Sequence, residues 1–180
     1  MSTREHFALM ASYNETMNQQ VYAAAARLAP AELTAERGAF FGSIIGTLNH
    51  LVVADTIWLQ RCAALPATHP ALDPVRALPA PSALGQVLET ELAPLLARRR
   101  ALDAVIHAFV AELGDEELAG PLRYHNTKGL PFAKRLSSVL AHLFNHQTHH
   151  RGQASTLLFQ AGQDIGVTDL LVLIPNEPAD

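Results

Sequence analysis

Four of the nine histidines in this 180-residue chain stand in one string, His142-Leu-Phe-Asn-His146-Gln-Thr-His149-His150-Arg-Gly-Gln153. Imidazole nitrogen is a ligand for zinc, nickel and iron, and two imidazoles four residues apart lie about 40° apart around a helix axis. Both can then approach one ion from a single rigid element. Three neutral histidines leave a further position open for water or a substrate atom. An ion held that way is a Lewis acid that lowers the pKa of a bound water or thiol.

Helical geometry ranks the four rings. With Leu136 at zero and about 100° per residue, the apolar stripe runs through Val139, Leu140, Leu143, Ala154 and Leu158. On that wheel His150 lies about 40° from the stripe centre, His146 about 80°, His142 about 120° and His149 about 140°. His146 and His150 are the inward pair. The competing reading makes them core-edge histidines satisfied by ordinary hydrogen bonds. Two inward rings at this spacing favour metal, because one ion satisfies several buried polar atoms together.

A third ligand must come from elsewhere, and His50, in Leu48-Asn-His-Leu-Val-Val-Ala-Asp55, is the other histidine well inside an apolar helix. That helix carries one stripe through Ile44, Leu48, Leu51 and Val52 and a second through Gly46, His50, Val53 and Ile57, so the wheel leaves its inward face open. The double-sided pattern also suggests a homodimer. His6, His69 and His107 are expected at the solvated surface, while His125 could belong to a loop reaching over the mouth of the fold. Asn49, Asp55, Asn145 and Gln153 are the nearby polar residues that could orient ligand rings or simply cap and hydrate. Arg151 is expected in a surface ion pair rather than on an anionic substrate.

Several chemistries are disfavoured. Gln147 follows His146 where a zinc protease has its general-base glutamate, and no glutamate stands three residues before a histidine as a di-iron carboxylate site requires. Nucleotide-binding glycine loops are absent, and nothing nominates the nucleophile of a Ser-His-Asp triad. Cys62, the lone cysteine, reads as a small buried hydrophobe.

The elements that must position these residues are helical. Ser2-Thr-Arg-Glu5 has the form of a capping box and opens a helix over roughly residues 3 to 29. A second helix runs from Ser43 to Leu65, and the prolines of 66–81 make a crossing loop. A third is predicted from an N-cap at Ser82 to Gly114, kinked at Pro94. Residues 120–131 suggest a small hairpin-like excursion, after which Pro131 starts the last helix, ending at Gly162. Four long helices without sustained alternation predict an all-α four-helix bundle in a single domain, residues 1–180.

With 49% hydrophobic and 17% charged residues the chain can bury a sizeable core. Its net charge of −4 offers no footprint for direct nucleic-acid binding, and no segment has the apolar length of a membrane span. A cytoplasmic protein acting on a small molecule is the expectation.

Tyr13-Asn14 with Asn18, the run Phe40-Phe-Gly-Ser-Ile-Ile-Gly-Thr-Leu-Asn-His50-Leu-Val-Val-Ala-Asp55-Thr-Ile-Trp58, Asn126-Thr-Lys-Gly129 and the string from His142 to Gln153 together resemble the DinB-like family over most of the chain. The resemblance implies an up-down-down-up four-helix bundle, usually dimeric. It implies a site for nickel, zinc or another divalent ion and carries the ligands onto His50, His146 and His150. For His146 and His150 this agrees with the wheel. It further implies either a metal-dependent hydrolase or a transferase that uses a low-molecular-weight thiol such as mycothiol, bacillithiol or glutathione. The alternative is a non-enzymatic metal-binding stress-response dimer.

Overall fold

The computed structural model describes residues 1–177. It is mostly helical, with one two-stranded antiparallel sheet. Helix α1 (Thr3–Ala25) begins in the expected capping box: the Glu5 amide donates to Ser2 Oγ at 3.2 Å and the Ser2 amide to Glu5 Oε2 at 2.5 Å. It stops short of residue 29, because Pro30 disfavours helical backbone before it and itself opens the short α2 (Pro30–Thr34). Helix α3 (Ile44–Cys62) starts where predicted, with Ser43 Oγ accepting from the Gly46 amide at 3.1 Å, and ends three residues before Leu65.

The connector is longer than predicted. After a 3-10 turn at Pro70–Leu72 and the short α4 (Asp73–Arg76), an irregular segment runs to α5 (Leu92–Glu112). Ser82 therefore caps no helix; its amide and hydroxyl both donate to Gln86 Oε1. Pro94 falls in the first turn of α5, where no intrahelical donor is lost, so it makes no kink. Helix α6 (Asp115–Ala119) leads into β1 (Pro121–His125), which pairs in full register with β2 (Pro131–Arg135). The hairpin is as expected, closed by Gly129 at φ 77° and by Asn126 Oδ1, which accepts from the Lys128 and Leu130 amides. Pro131 belongs to β2, and α7 (Leu136–Gln160) starts only after the strand ends.

Helix α1 packs against α5 and α7, and α3 packs against the same two. The core they enclose includes Phe7 and Val21 of α1, Leu48 and Leu51 of α3, Ile106 and Phe109 of α5, and Val139 and Leu158 of α7. Each such side chain contributes about 1.5–3 kcal/mol on burial. Through this core runs a polar thread: Arg99 lies 2.6 Å from Asp55 and 3.0 Å from Asp103, and Asn14 and Asn18 both donate to Asp103. In the second stripe of α3 His50 and Val53 are buried, Val53 as fully as Leu48, and Gly46 and Ile57 are half-buried, so the stripe that suggested a dimer is not an exposed face. Among the described residues, no helix is long and apolar enough to cross a membrane.

Candidate metal centre

Helices α3 and α7 lie side by side, and the second turn of one meets the middle of the other at His50, His146 and His150. One ring nitrogen from each falls within 4.8 Å of the others. His50 Nε2 stands 3.2 Å from His146 Nε2 and 3.2 Å from His150 Nε2. His142 and His149 take the outer positions of α7, as the wheel orders them.

The outer nitrogens decide what the inner ones can do. His50 Nδ1 is 2.8 Å from the Leu84 carbonyl, which only accepts, so Nδ1 carries the ring proton and Nε2 is left with its lone pair. His150 Nδ1 lies 2.7 Å from Gln153 Oε1, and the Gln153 amide nitrogen faces His149 Nε2 at 3.4 Å, so His150 takes the same tautomer. Two lone-pair nitrogens thus face each other at 3.2 Å with no proton between them, and His146 can donate to at most one. A bound cation relieves this arrangement. Two nitrogens held tetrahedrally at about 2.0–2.1 Å from zinc stand roughly 3.4 Å apart, close to the spacing seen.

A shared proton is the other way to relieve it, and burial opposes that. His146 is pushed down to about 3, by burial first and then by the neighbouring charges of His150 and His50. Burial also lowers His50 and His150 below the ordinary histidine range. All three are neutral at pH 7, the form that binds metal.

Three supports hold His50. Asn49 Oδ1 accepts from the Leu88 and Glu89 amides at 2.7 and 3.0 Å, and its Nδ2 donates to the Glu89 carbonyl at 2.8 Å, which ties the 84–89 segment to α3 where Leu84 meets His50. The Phe41 ring stacks on His50 at 3.9 Å between centroids, from a loop that approaches α3 closely. A Cβ on Gly46 would sit 2.1 Å from the Phe41 carbonyl oxygen, so only glycine allows that approach. Neither Phe41 nor the Leu84 carbonyl is nominated by the sequence; backbone groups and stacking rings carry no spacing signal.

Beside the rings lies a cleft of about 320 Å³ lined by His50, His146, His142, Trp58, Tyr124 and Phe132, among others. The hairpin forms one wall: Tyr124 and Phe132 stack at 5.7 Å, and Tyr124 meets Trp58 edge-on at 5.3 Å.

Of the polar neighbours, Asn49 and Gln153 serve the ring positions as described. Asp55 points away into the core to pair with Arg99, and Asn145 is exposed. Arg151 is not at the surface: it is 5% exposed, bonded to Asn14 and Gln147, and pushed down to about 10 by burial. His69 is likewise buried rather than solvated, since Glu117 at 2.9 Å and Glu112 at 3.3 Å flank its two nitrogens. Cys62 is fully buried, its thiol pushed up to about 12, and is no nucleophile.

The sequence model of the DinB family matches residues 1–178. The chain belongs to the DinB family. No curated protein and no solved structure matches it. For this DinB chain, the family assignment and the three converged histidines are together compatible with a metal-binding site.

Proposed function

We propose that this DinB protein is a single-domain, cytoplasmic metalloprotein in which His50, His146 and His150 hold one divalent ion, nickel or zinc, and that it acts as a thiol-dependent transferase. The observation that carries the metal is the pair of lone-pair nitrogens, His50 Nε2 and His150 Nε2, facing each other at 3.2 Å with both outer nitrogens already engaged. A divalent ion there would supply Lewis acidity, which favours the ionised form of a bound thiol or water. Two of the three rings, His50 and His146, line the cleft, so a small molecule can reach them. No carboxylate lines that cleft among the described residues, which disfavours a hydrolase with an acidic general base and favours a nucleophile that ionises readily, a thiol of low molecular weight. His142 lines the same cleft beside His146, where its ring stands within reach of a small molecule bound there. Trp58, Tyr124 and Phe132 would shield the reacting groups from bulk water.

The four long helices would form the up-down-down-up bundle of the family, and exposed Phe159, Leu171 and Val172 support a homodimer. The test is zinc titration of untagged protein by calorimetry with elemental analysis. We expect about one ion per chain, retained in His142→Ala and lost in a His146→Ala, His150→Ala double variant that keeps its helical spectrum. A wild-type chain that takes up neither zinc nor nickel overturns the reading.

A further inference from the structure

The cleft beside the three histidines contains a cation with nothing to neutralise it. Arg61, on the last turn of α3, lies with its guanidinium 4.4 Å from the Trp58 ring centroid and 4.8 Å from that of Tyr124. Rings take up the faces of a guanidinium and leave its N–H edges for acceptors. Among the described residues no carboxylate lies within ion-pair distance of it. The interior arginines differ from it: Arg99 pairs with two aspartates and Arg151 donates to the neutral Asn14 and Gln147, whereas the Arg61 guanidinium makes no hydrogen bond among the described residues.

The surroundings share this imbalance. Arg61 also borders a second cleft of about 380 Å³, where Arg123 joins it, and neither cleft has an acidic residue in its lining. The chain as a whole is acidic, with 17 Asp and Glu against 13 Lys and Arg, so an acid-free, arginine-bearing cavity departs from its average surface. Partial burial lowers the Arg61 pKa from its usual value, which is the penalty a bound anion would remove.

We propose that Arg61 is an oxyanion-binding residue, and that the cleft takes a small molecule with a carboxylate or phosphate at Arg61 and an apolar body against Trp58 and Tyr124. The adjacency is continuous. His50 and His146 line the same cleft, and His142 links His146 at 5.8 Å to Trp58 at 5.1 Å, whose ring also packs against Arg61. An anionic ligand anchored at Arg61 therefore extends toward the three rings. This deepens the function proposed above by naming the charge class of its substrate, and it rests on that reading only for what happens at the far end.

The test uses the full chain stripped of metal, so that a carboxylate cannot bind through an ion. Trp58 is the sole tryptophan, and its fluorescence reports on the cleft directly. Benzoate, its neutral isostere benzamide, and inorganic phosphate are titrated with fluorescence and ligand-observed NMR as paired readouts. We expect benzoate to bind, benzamide to bind at least about tenfold more weakly, and Arg61→Met to remove that preference while Arg61→Lys keeps part of it. Phosphate binding as tightly as benzoate assigns the site to phosphate esters; benzoate alone assigns it to carboxylates. Equal binding of benzoate and benzamide, or no binding of any of the three to the wild type, overturns the proposal, and the wild-type comparison decides it even if the variants fold poorly. A chain that binds zinc but shows no anion preference would lose this inference and keep the metal centre; the reverse outcome would do the opposite.

Discussion

His50 and His150 each owe a usable lone pair to an acceptor on the far side of the ring, so disturbing an acceptor should weaken the site without touching a ligand. Gln153→Ala removes the acceptor 2.7 Å from His150 Nδ1 and frees that ring to change tautomer and swing. Zinc affinity should fall by about 10–100-fold, the usual effect of losing a partner behind a metal-bound histidine, with thermal stability of the metal-free chain nearly unchanged. An unchanged affinity by calorimetry would show that Gln153 only hydrates the helix surface. The same rings set a pH dependence. His146 is pushed down to about 3 in the folded chain, whereas in the unfolded chain it takes up a proton near the ordinary histidine value. Between those values the unfolded state holds more protons, so stability of the metal-free protein falls as pH drops through that window. The melting temperature should decline from pH 7 to pH 5, and His146→Leu should flatten that decline. An equally steep decline in the variant would move the cause to other groups.

At the scale of elements, α3 connects backbone geometry to the site. Gly46→Ala is expected to destabilise the chain and also to weaken zinc binding, because the added Cβ must displace the Phe41 carbonyl 2.1 Å away and with it the ring stacked on His50. Ser43→Ala removes only the N-cap acceptor; it should cost about 1 kcal/mol and leave zinc affinity alone. Urea melts and zinc titrations of the two variants separate the effects, and a Gly46→Ala chain with native zinc affinity would refute the coupling. What could be read from the sequence at this scale follows from the range of the signals. The division of the α7 histidines into an inner and an outer pair was legible because helical period alone sets it, and the hairpin because Asn126 to Gly129 spell their own turn. The start of α5 was not, since Asn49, forty residues away, holds the 88–89 backbone out of a helix. Arg151 and His69 were misplaced for the same reason: a polar side chain reads as exposed until the fold supplies Asn14 for one and two glutamates for the other. His50 could be nominated, but which face of a helix apolar all round turns toward α7 is a property of packing.

For the whole molecule, the histidine cluster and the core are separable. The three histidines sit where α3 meets α7 beside the cleft, while Arg99, Asp55 and Asp103 bind α3 to α5 inside a continuous apolar core. A structural zinc site would make folding depend on metal; an open, functional one adds binding energy to a chain that already folds. The chelated protein should therefore keep its helical far-ultraviolet signal and melt cooperatively. Zinc at about 100 times its Kd should add roughly 2.7 kcal/mol, raising the melting temperature by roughly 5–10 °C for a chain of this length, with the increment absent in the His146→Ala, His150→Ala variant. Loss of helix on chelation would instead assign the histidines to holding α3 and α7 together, and the open cleft would have to be explained without an ion at its end.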